Sequence, residues 1–183
     1  MAKLNEWNEK TEGVMHLLVT PLCARSCPHC CNDQYSLRDV PYATEGEFRR
    51  CHTVCLTGGE PFKYADPAQI AIWVKSRHPN VEKVYVYGNA FEAYAYLERH
   101  SSESMWAIDG LSLSIKTPLD REFFERMADE SSQISKILRK AGMSNVLYVF
   151  DGLNPKGSGN FKVFPRAWQE DFKPDEGSFF RKL

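Results

Sequence analysis

The chain has 183 residues, a length that suits one substantial hydrophobic core and predicts a single domain. Hydrophobic residues make up 43% and charged residues 26% of the sequence, which is the balance of an ordinary globular protein. The formal net charge is −1 at pH 7 and both signs are spread along the chain, which argues against a dedicated nucleic-acid-binding surface.

Strands and helices are predicted to alternate along the chain. Strands are expected at 14–20, 54–57, 83–87, 111–116 and 146–150, with a sixth at 160–166. Helices are expected at 44–51, 66–77, 91–100 and 120–140. Thr44 and Glu47 have the spacing of a capping box for the first helix. Asp120 is the expected N-cap of the last helix, and Gly142 follows its end.

Such alternation is typical of a parallel sheet whose strands are joined by right-handed helical crossovers. Five or six strands fall short of the eight strands of a complete (β/α)8 barrel. We therefore predict an α/β fold, either an open, curved partial (β/α) barrel or a doubly wound sheet.

Three cysteines follow the first predicted strand in a Cys-x3-Cys-x2-Cys pattern, namely Cys23, Cys27 and Cys30. Three thiolates on one loop can ligate three irons of a [4Fe-4S] cluster and leave the fourth iron open to another ligand. The same residues would also suit a zinc site with His29 or a distant fourth ligand, or a redox-labile patch without metal. Cys31 could replace Cys30 in a Cys-x3-Cys-x3-Cys pattern, so the spacing alone leaves these alternatives open.

Glycines and polar residues follow the next three strands. Gly58, Gly59 and Glu60 follow the second strand, Asn89 follows the third, and Lys116 ends the fourth. Parallel α/β folds carry their functional residues at the carboxyl ends of the strands. We therefore expect these residues and the cysteine loop to share one edge of the sheet.

The fourth strand alternates between apolar and polar residues. Period-two alternation puts Ser114 and Lys116 on one face and Leu113 and Ile115 on the other. The apolar residues are expected to pack against helices, so the polar residues should line the interior. A polar interior face predicts a ligand cavity.

Taken together, these motifs resemble the radical S-adenosylmethionine (SAM) superfamily. The segments that carry the resemblance are 23–30, the Gly-Gly-Glu segment 56–61, the asparagine turn 87–90 and the fourth-strand segment 112–117. His29 stands where an aromatic residue usually precedes the third cysteine. The similarity extends over about 14–151 and implies a partial (β/α) barrel of about five to six parallel strands. The domain would span 1–183, with 152–183 as an irregular C-terminal segment that closes the barrel.

The resemblance implies a mechanism and a set of site residues. Cys23, Cys27 and Cys30 would bind a [4Fe-4S] cluster, whose open iron would be chelated by the amino and carboxylate groups of SAM. Reductive cleavage of SAM would yield a 5′-deoxyadenosyl radical that abstracts hydrogen from a substrate. By the same analogy, the residues that contact the cofactors are His29, Gly58, Gly59, Glu60, Asn89, Ser114 and Lys116.

The resemblance does not identify the second substrate. A peptide or protein, as for the activases of glycyl-radical enzymes, is our first expectation, because a short barrel leaves one side open. Small-molecule or nucleoside biosynthesis of the deazapurine type is the alternative, although Cys31-Asn32-Asp33 departs from the Asp-Thr that those enzymes often have there. A non-catalytic iron–sulfur or zinc-binding module is an alternative of another class, and the intact Gly58-Gly59-Glu60 argues against it.

Partners and location follow from the same reasoning. Radical SAM chemistry implies an electron donor such as flavodoxin or ferredoxin. Residues 1–10 lack the apolar core of a signal peptide, and no apolar run approaches the roughly 20 residues of a membrane-spanning helix. Six cysteines in such a chain are typical of reduced thiols, so we expect a cytoplasmic protein that has no membrane partner.

Overall fold

The structure is a computed structural model that describes residues 13–28, 30–34, 36–100, 104–167 and 178–183. In these ranges seven strands form one sheet in the order β6-β5-β4-β3-β2-β1-β7, and all neighbouring pairs are parallel. The strands are β1 (Gly13–Thr20), β2 (Cys51–Gly58), β3 (Lys83–Asn89), β4 (Gly110–Ile115), β5 (Asn145–Phe150), β6 (Phe161–Arg166) and β7 (Ser178–Lys182). Because β6 and β7 lie at opposite edges, the sheet is open. The predicted α/β fold, a partial (β/α) barrel, is confirmed.

Helices connect the first five strands. They are α1 (Glu45–Phe48), α2 (Pro61–Tyr64), α3 (Pro67–Arg77), α4 (Ala90–Leu97), α5 (Pro118–Ala128) and α6 (Gln133–Lys140). The predicted capping box of Thr44 and Glu47 begins α1, with both of its hydrogen bonds present. In the part of the chain that the structure describes, no helix combines the length and the apolar character needed to cross a membrane.

The long helix predicted at 120–140 is instead two helices, α5 and α6. Thr117, and not Asp120, is the N-cap of α5, and the two side chains form a capping box. Just after α5, the Asp129 carboxylate accepts a hydrogen bond from the backbone N–H of Ser131 at 2.8 Å. This local turn competes with a continuation of α5, and Ser132 is the N-cap of the next helix, α6.

The segment 152–183, predicted to be irregular, contains the C-terminal strand β7. It pairs in parallel with β1, from Val14 opposite Ser178 to Leu18 opposite Lys182. It extends the sheet beyond β1 and closes no barrel. Its position depends on contacts distant in sequence, such as the 2.7 Å hydrogen bond from Arg181 Nε to Glu47 Oε1, which local sequence patterns do not reveal.

The hydrophobic core lies between one face of the sheet and the helices. In β4, Leu111, Leu113 and Ile115 are fully buried in it, together with Phe62 of α2 and Phe124 of α5. Ser112 and Ser114 of β4 point to the opposite face and are half-buried. The predicted alternation of this strand is therefore confirmed, and its polar face is available to a cavity.

Candidate functional site

A cavity of about 170 Å³ opens at the carboxyl ends of the strands. Its walls bring together nine residues that the sequence predicts for the site: Cys23, Cys27, Cys30, Gly58, Gly59, Glu60, Asn89, Ser114 and Lys116. The tenth, His29, lies outside the described residues. The parallel sheet accounts for this convergence, because residues distant in sequence end neighbouring strands at one edge.

The cysteine loop begins directly after β1 and is held by the turn that follows β2. The Gly59 N–H donates to the Thr20 carbonyl oxygen at 2.7 Å, and the Glu60 N–H donates to the Leu22 carbonyl oxygen at 2.9 Å. A Cβ on Gly59 would lie 2.0 Å from the Leu22 oxygen, and one on Gly58, which has a φ of +142°, would lie 2.2 Å from the Thr20 oxygen. The two glycines are therefore required for the close approach of two backbone segments.

The three thiols of the loop lie on the cavity wall, and none of them is in a disulfide. Cys23 is exposed, whereas Cys27 and Cys30 are half-buried. Burial raises the pKa of the Cys27 thiol, and the positive charges of Arg25 and Lys116 oppose that shift. Among the described residues, no three His, Cys, Asp or Glu side chains converge as the ligands of a metal ion.

Arg25, inside the cysteine loop, anchors the loop to the ends of β3 and β4. Its Nη1 lies 3.0 Å from Asp120 Oδ1, and its Nη2 donates to the Thr117 hydroxyl at 3.0 Å. A longer contact of 3.5 Å joins Nη1 to the Asn89 side-chain oxygen, and the guanidinium lies 5.3 Å from the centre of the Phe91 ring. The Asp120 carboxylate is fully buried, so this ion pair is shielded from solvent.

Glu60 and Asn89 bind each other and brace the cavity wall. Glu60 Oε2 accepts from the Asn89 backbone N–H at 3.1 Å and from its side-chain amide, and Oε1 accepts from the Phe62 N–H at 3.3 Å. Asn89 Oδ1 in turn caps α4 by accepting from the Glu92 N–H at 2.9 Å. Burial raises the pKa of Glu60 to about 7. Both side chains thus have partners within the protein while lining the cavity.

Lys116 and Ser114 extend the polar face of β4 into the cavity. The Lys116 ammonium lies 5.3 Å from the centre of the Phe150 ring, a cation–π contact with the end of β5. The Ser114 hydroxyl lies 3.5 Å from the Gly88 carbonyl oxygen. These two side chains therefore place an ammonium group and a hydroxyl group beside the cysteine loop.

Three further cavity residues are not predicted from the sequence. Asn32, just after the cysteine motif, donates its side-chain amide to the Gly58 carbonyl oxygen at 2.8 Å. Tyr148 and Arg166, from β5 and β6, line the far wall. For Tyr148, the alternation along β5 is a usable signal, since it shares a face with the inward residues of β4.

The chain matches no family model and no curated protein. The basis for a functional assignment is therefore the set of side chains around the cavity. The cysteine loop and the glycine turn that holds it are the most distinctive part of that set, because each requires specific residue types at fixed positions.

Proposed function

We propose that the protein is a radical SAM enzyme, an iron–sulfur oxidoreductase that abstracts hydrogen from a second substrate. The observation that carries the proposal is that Cys23, Cys27 and Cys30 line the same cavity as Gly58, Gly59 and Lys116. A cysteine triplet alone would suit several metals. A cysteine triplet next to a glycine turn, an ammonium group and a hydroxyl group also suits a ligand that carries an amine, a carboxylate and a ribose.

The donor types, three free thiols on one loop, are those of a [4Fe-4S] cluster, although the described thiols would have to move closer together to hold it. Cys23, Cys27 and Cys30 are free thiols of one loop, and three such thiols satisfy three irons of the cluster. Thiols ligate as thiolates; burial raises the pKa of Cys27, and the charges of Arg25 and Lys116 only partly oppose that shift, so the positive charge of the cluster irons would have to favour the thiolate. Once bound, the reduced cluster would supply one electron to the sulfonium of SAM, which would be cleaved to methionine and a 5′-deoxyadenosyl radical.

The surrounding residues would bind and orient SAM. The Lys116 ammonium, which lies beside an apolar ring, would pair with the carboxylate, because charge-assisted hydrogen bonds are strong where water is scarce. The Ser114 hydroxyl would bind the ribose. Glu60 and Asn89 would act chiefly by fixing the wall, since each already accepts hydrogen bonds from a neighbouring element.

The electron must come from outside the chain, and a flavodoxin or ferredoxin is the donor class we propose. The cysteine loop is accessible to such a partner because Leu22, Cys23 and Ala24 are exposed. A reducing cytoplasm is the compartment that this chemistry requires.

Anaerobic reconstitution with iron and sulfide, followed by SAM and dithionite, tests the proposal through the amount of 5′-deoxyadenosine formed. We expect formation by the native protein and its loss in Cys23→Ala, Cys27→Ala and Cys30→Ala. Cys51→Ser is the matched control, since Cys51 is buried in β2 outside the cavity and serine keeps a donor for the Glu47 carbonyl oxygen. Absence of 5′-deoxyadenosine, or equal formation by the alanine variants, would overturn the proposal.

A further inference from the structure

Tyr87 is a phenol of the cavity wall to which the proposed binding of SAM gives no role. It lies on the inward face of β3 and pairs directly with Ser112 of β4, which also lines the cavity. The ring of His16 packs edge-on against the ring of Tyr87, with 5.6 Å between the two centres. These contacts hold the phenol against the sheet at the wall of the cavity.

Cys55 lies beneath Tyr87 on the same face of the sheet. It belongs to β2 and pairs with Tyr85, so Tyr87 is the next residue of β3 on that face toward the carboxyl ends of the strands. With strands about 4.8 Å apart and a rise of about 3.3 Å per residue, the two α-carbons are roughly 8 Å apart, which a tyrosine side chain spans. Cys55 is buried, and the described residues that line the cavity do not include it. Tyr87 therefore connects a buried thiol with the cavity.

The Tyr87 hydroxyl interacts with the side chains of both neighbours. Burial is the main reason that the pKa of Tyr87 is raised; the Cys55 thiol adds to this shift, and the hydrogen bond with the Ser112 hydroxyl opposes it. Burial also raises the pKa of Cys55 to about 12, against the effect of its hydrogen bond with Tyr87. Both groups are therefore protonated at neutral pH, and each holds a hydrogen atom that it can transfer.

Phenols and thiols are suited to ending a radical reaction, because their O–H and S–H bonds are weaker than most aliphatic C–H bonds. Among the described residues that line the cavity, the phenols are Tyr87 and Tyr148, and the thiols are those of the cysteine loop, which the proposed cluster would occupy. Tyr148 belongs to β5, three strands from Cys55. Tyr87 is therefore the phenol that lies next to a second hydrogen donor.

We propose that Tyr87 donates a hydrogen atom to a carbon-centred radical of the second substrate, and that Cys55 restores the Tyr87 hydroxyl. This inference rests on the proposed function, which supplies the radical. Homolysis of the Tyr87 O–H bond forms a C–H bond of the product and leaves a phenoxyl radical, which takes the hydrogen atom of the Cys55 thiol. One electron from the flavodoxin or ferredoxin and one proton from water then convert the thiyl radical back to the thiol.

The class of reaction follows from this balance. The substrate loses one hydrogen atom to the 5′-deoxyadenosyl radical, and the product gains one from a group whose hydrogen exchanges with water. The substrate is neither oxidised nor reduced, so the reaction is an epimerisation or a rearrangement rather than a dehydrogenation. Each turnover consumes one SAM and two electrons.

Cleavage of SAM in heavy water tests the donor without a substrate. The hydrogens of the Tyr87 hydroxyl and the Cys55 thiol exchange for deuterium there, whereas those of C–H bonds do not. With SAM as the only added ligand, the radical would take its hydrogen from Tyr87, so mass spectrometry should find one deuterium in 5′-deoxyadenosine. Tyr87→Phe, which keeps the ring, should lose most of this label. Tyr85→Phe is the matched control and should keep it, since Tyr85 is a phenol on the same face of β3 outside the described cavity wall.

A second variant tests the role of Cys55. In Cys55→Ala no thiol restores the phenoxyl radical, so one equivalent of reductant with SAM should leave a tyrosyl radical signal in electron paramagnetic resonance. Adding Tyr87→Phe to Cys55→Ala should remove this signal. Unlabelled 5′-deoxyadenosine from the native protein, a label that persists in Tyr87→Phe, or no tyrosyl signal from Cys55→Ala would overturn the inference. Absence of 5′-deoxyadenosine from the native protein would instead overturn the proposed function, so the two failures are distinguishable.

Discussion

Replacing Arg25 by methionine removes the charged partner of a fully buried carboxylate. Asp120 Oδ1 lies 3.0 Å from Arg25 Nη1 and makes no hydrogen bond within the described residues. The other oxygen, Oδ2, accepts from the backbone N–H groups of Lys116 and Thr117 and from the Thr117 hydroxyl. In Arg25→Met, Oδ1 would therefore remain buried with no cation beside it.

The structure sets the expected size of this effect. Removing one partner of a buried ion pair costs about 3–5 kcal/mol. Because Oδ2 keeps its three donors and methionine retains apolar contact with Phe91, we expect the lower end, about 3 kcal/mol. In a domain of this size, such a loss lowers Tm by about 6–12 °C.

Urea unfolding followed by circular dichroism measures this loss directly. Arg126→Met, which breaks the exposed pair with Glu122, should cost less than about 1 kcal/mol. Adding Asp120→Asn to Arg25→Met should recover part of the stability, since it removes the stranded charge. Arg25→Met with the same small effect as Arg126→Met would refute the reasoning that the cysteine loop is anchored by this pair.

Two further predictions concern the turn that follows β2. Burial raises the pKa of Glu60 from 4.5 to about 7, so the folded state holds more protons between these values. The free energy of unfolding should then fall as pH rises from about 5 to 8, by up to about 3 kcal/mol, and Glu60→Gln should flatten this slope in urea titrations. Gly59→Ala would force its Cβ against the Leu22 carbonyl oxygen, so we expect a loss of at least about 2 kcal/mol and reduced iron content after reconstitution. Gly157→Ala, whose Cβ would meet no atom within 4 Å, is its control, and equal stability of the two variants would contradict the close-approach argument.

Much of the fold follows from local sequence patterns. The first six strands lie within a few residues of their predicted positions, because each has a run of apolar or β-branched residues bounded by polar or turn residues. β7 is not predicted, since Ser178–Lys182 is short and ends in two cationic residues. Its pairing with β1 depends on contacts across the fold, including that of Arg181 with Glu47.

The candidate site likewise contains some residues that the sequence predicts and others that it does not. Residues at the ends of strands, such as Gly59 and Lys116, are predictable because parallel strands end at one edge. Arg25 gives no sequence signal of its buried partner, because Asp120 is 95 residues away and is also the N3 residue of the capping box of α5. The mutual hydrogen bonds of Glu60 and Asn89 are likewise hidden, since each residue alone resembles a ligand-binding group.

Electron paramagnetic resonance of the reconstituted and reduced protein tests the central claim most directly. We expect the signal of a reduced [4Fe-4S] cluster whose shape changes when SAM is added, because SAM is proposed to bind the iron that Cys23, Cys27 and Cys30 leave open. Cys27→Ala should lack this signal. A protein without a cluster signal, or with one that SAM leaves unchanged, would contradict the assignment as a radical SAM enzyme.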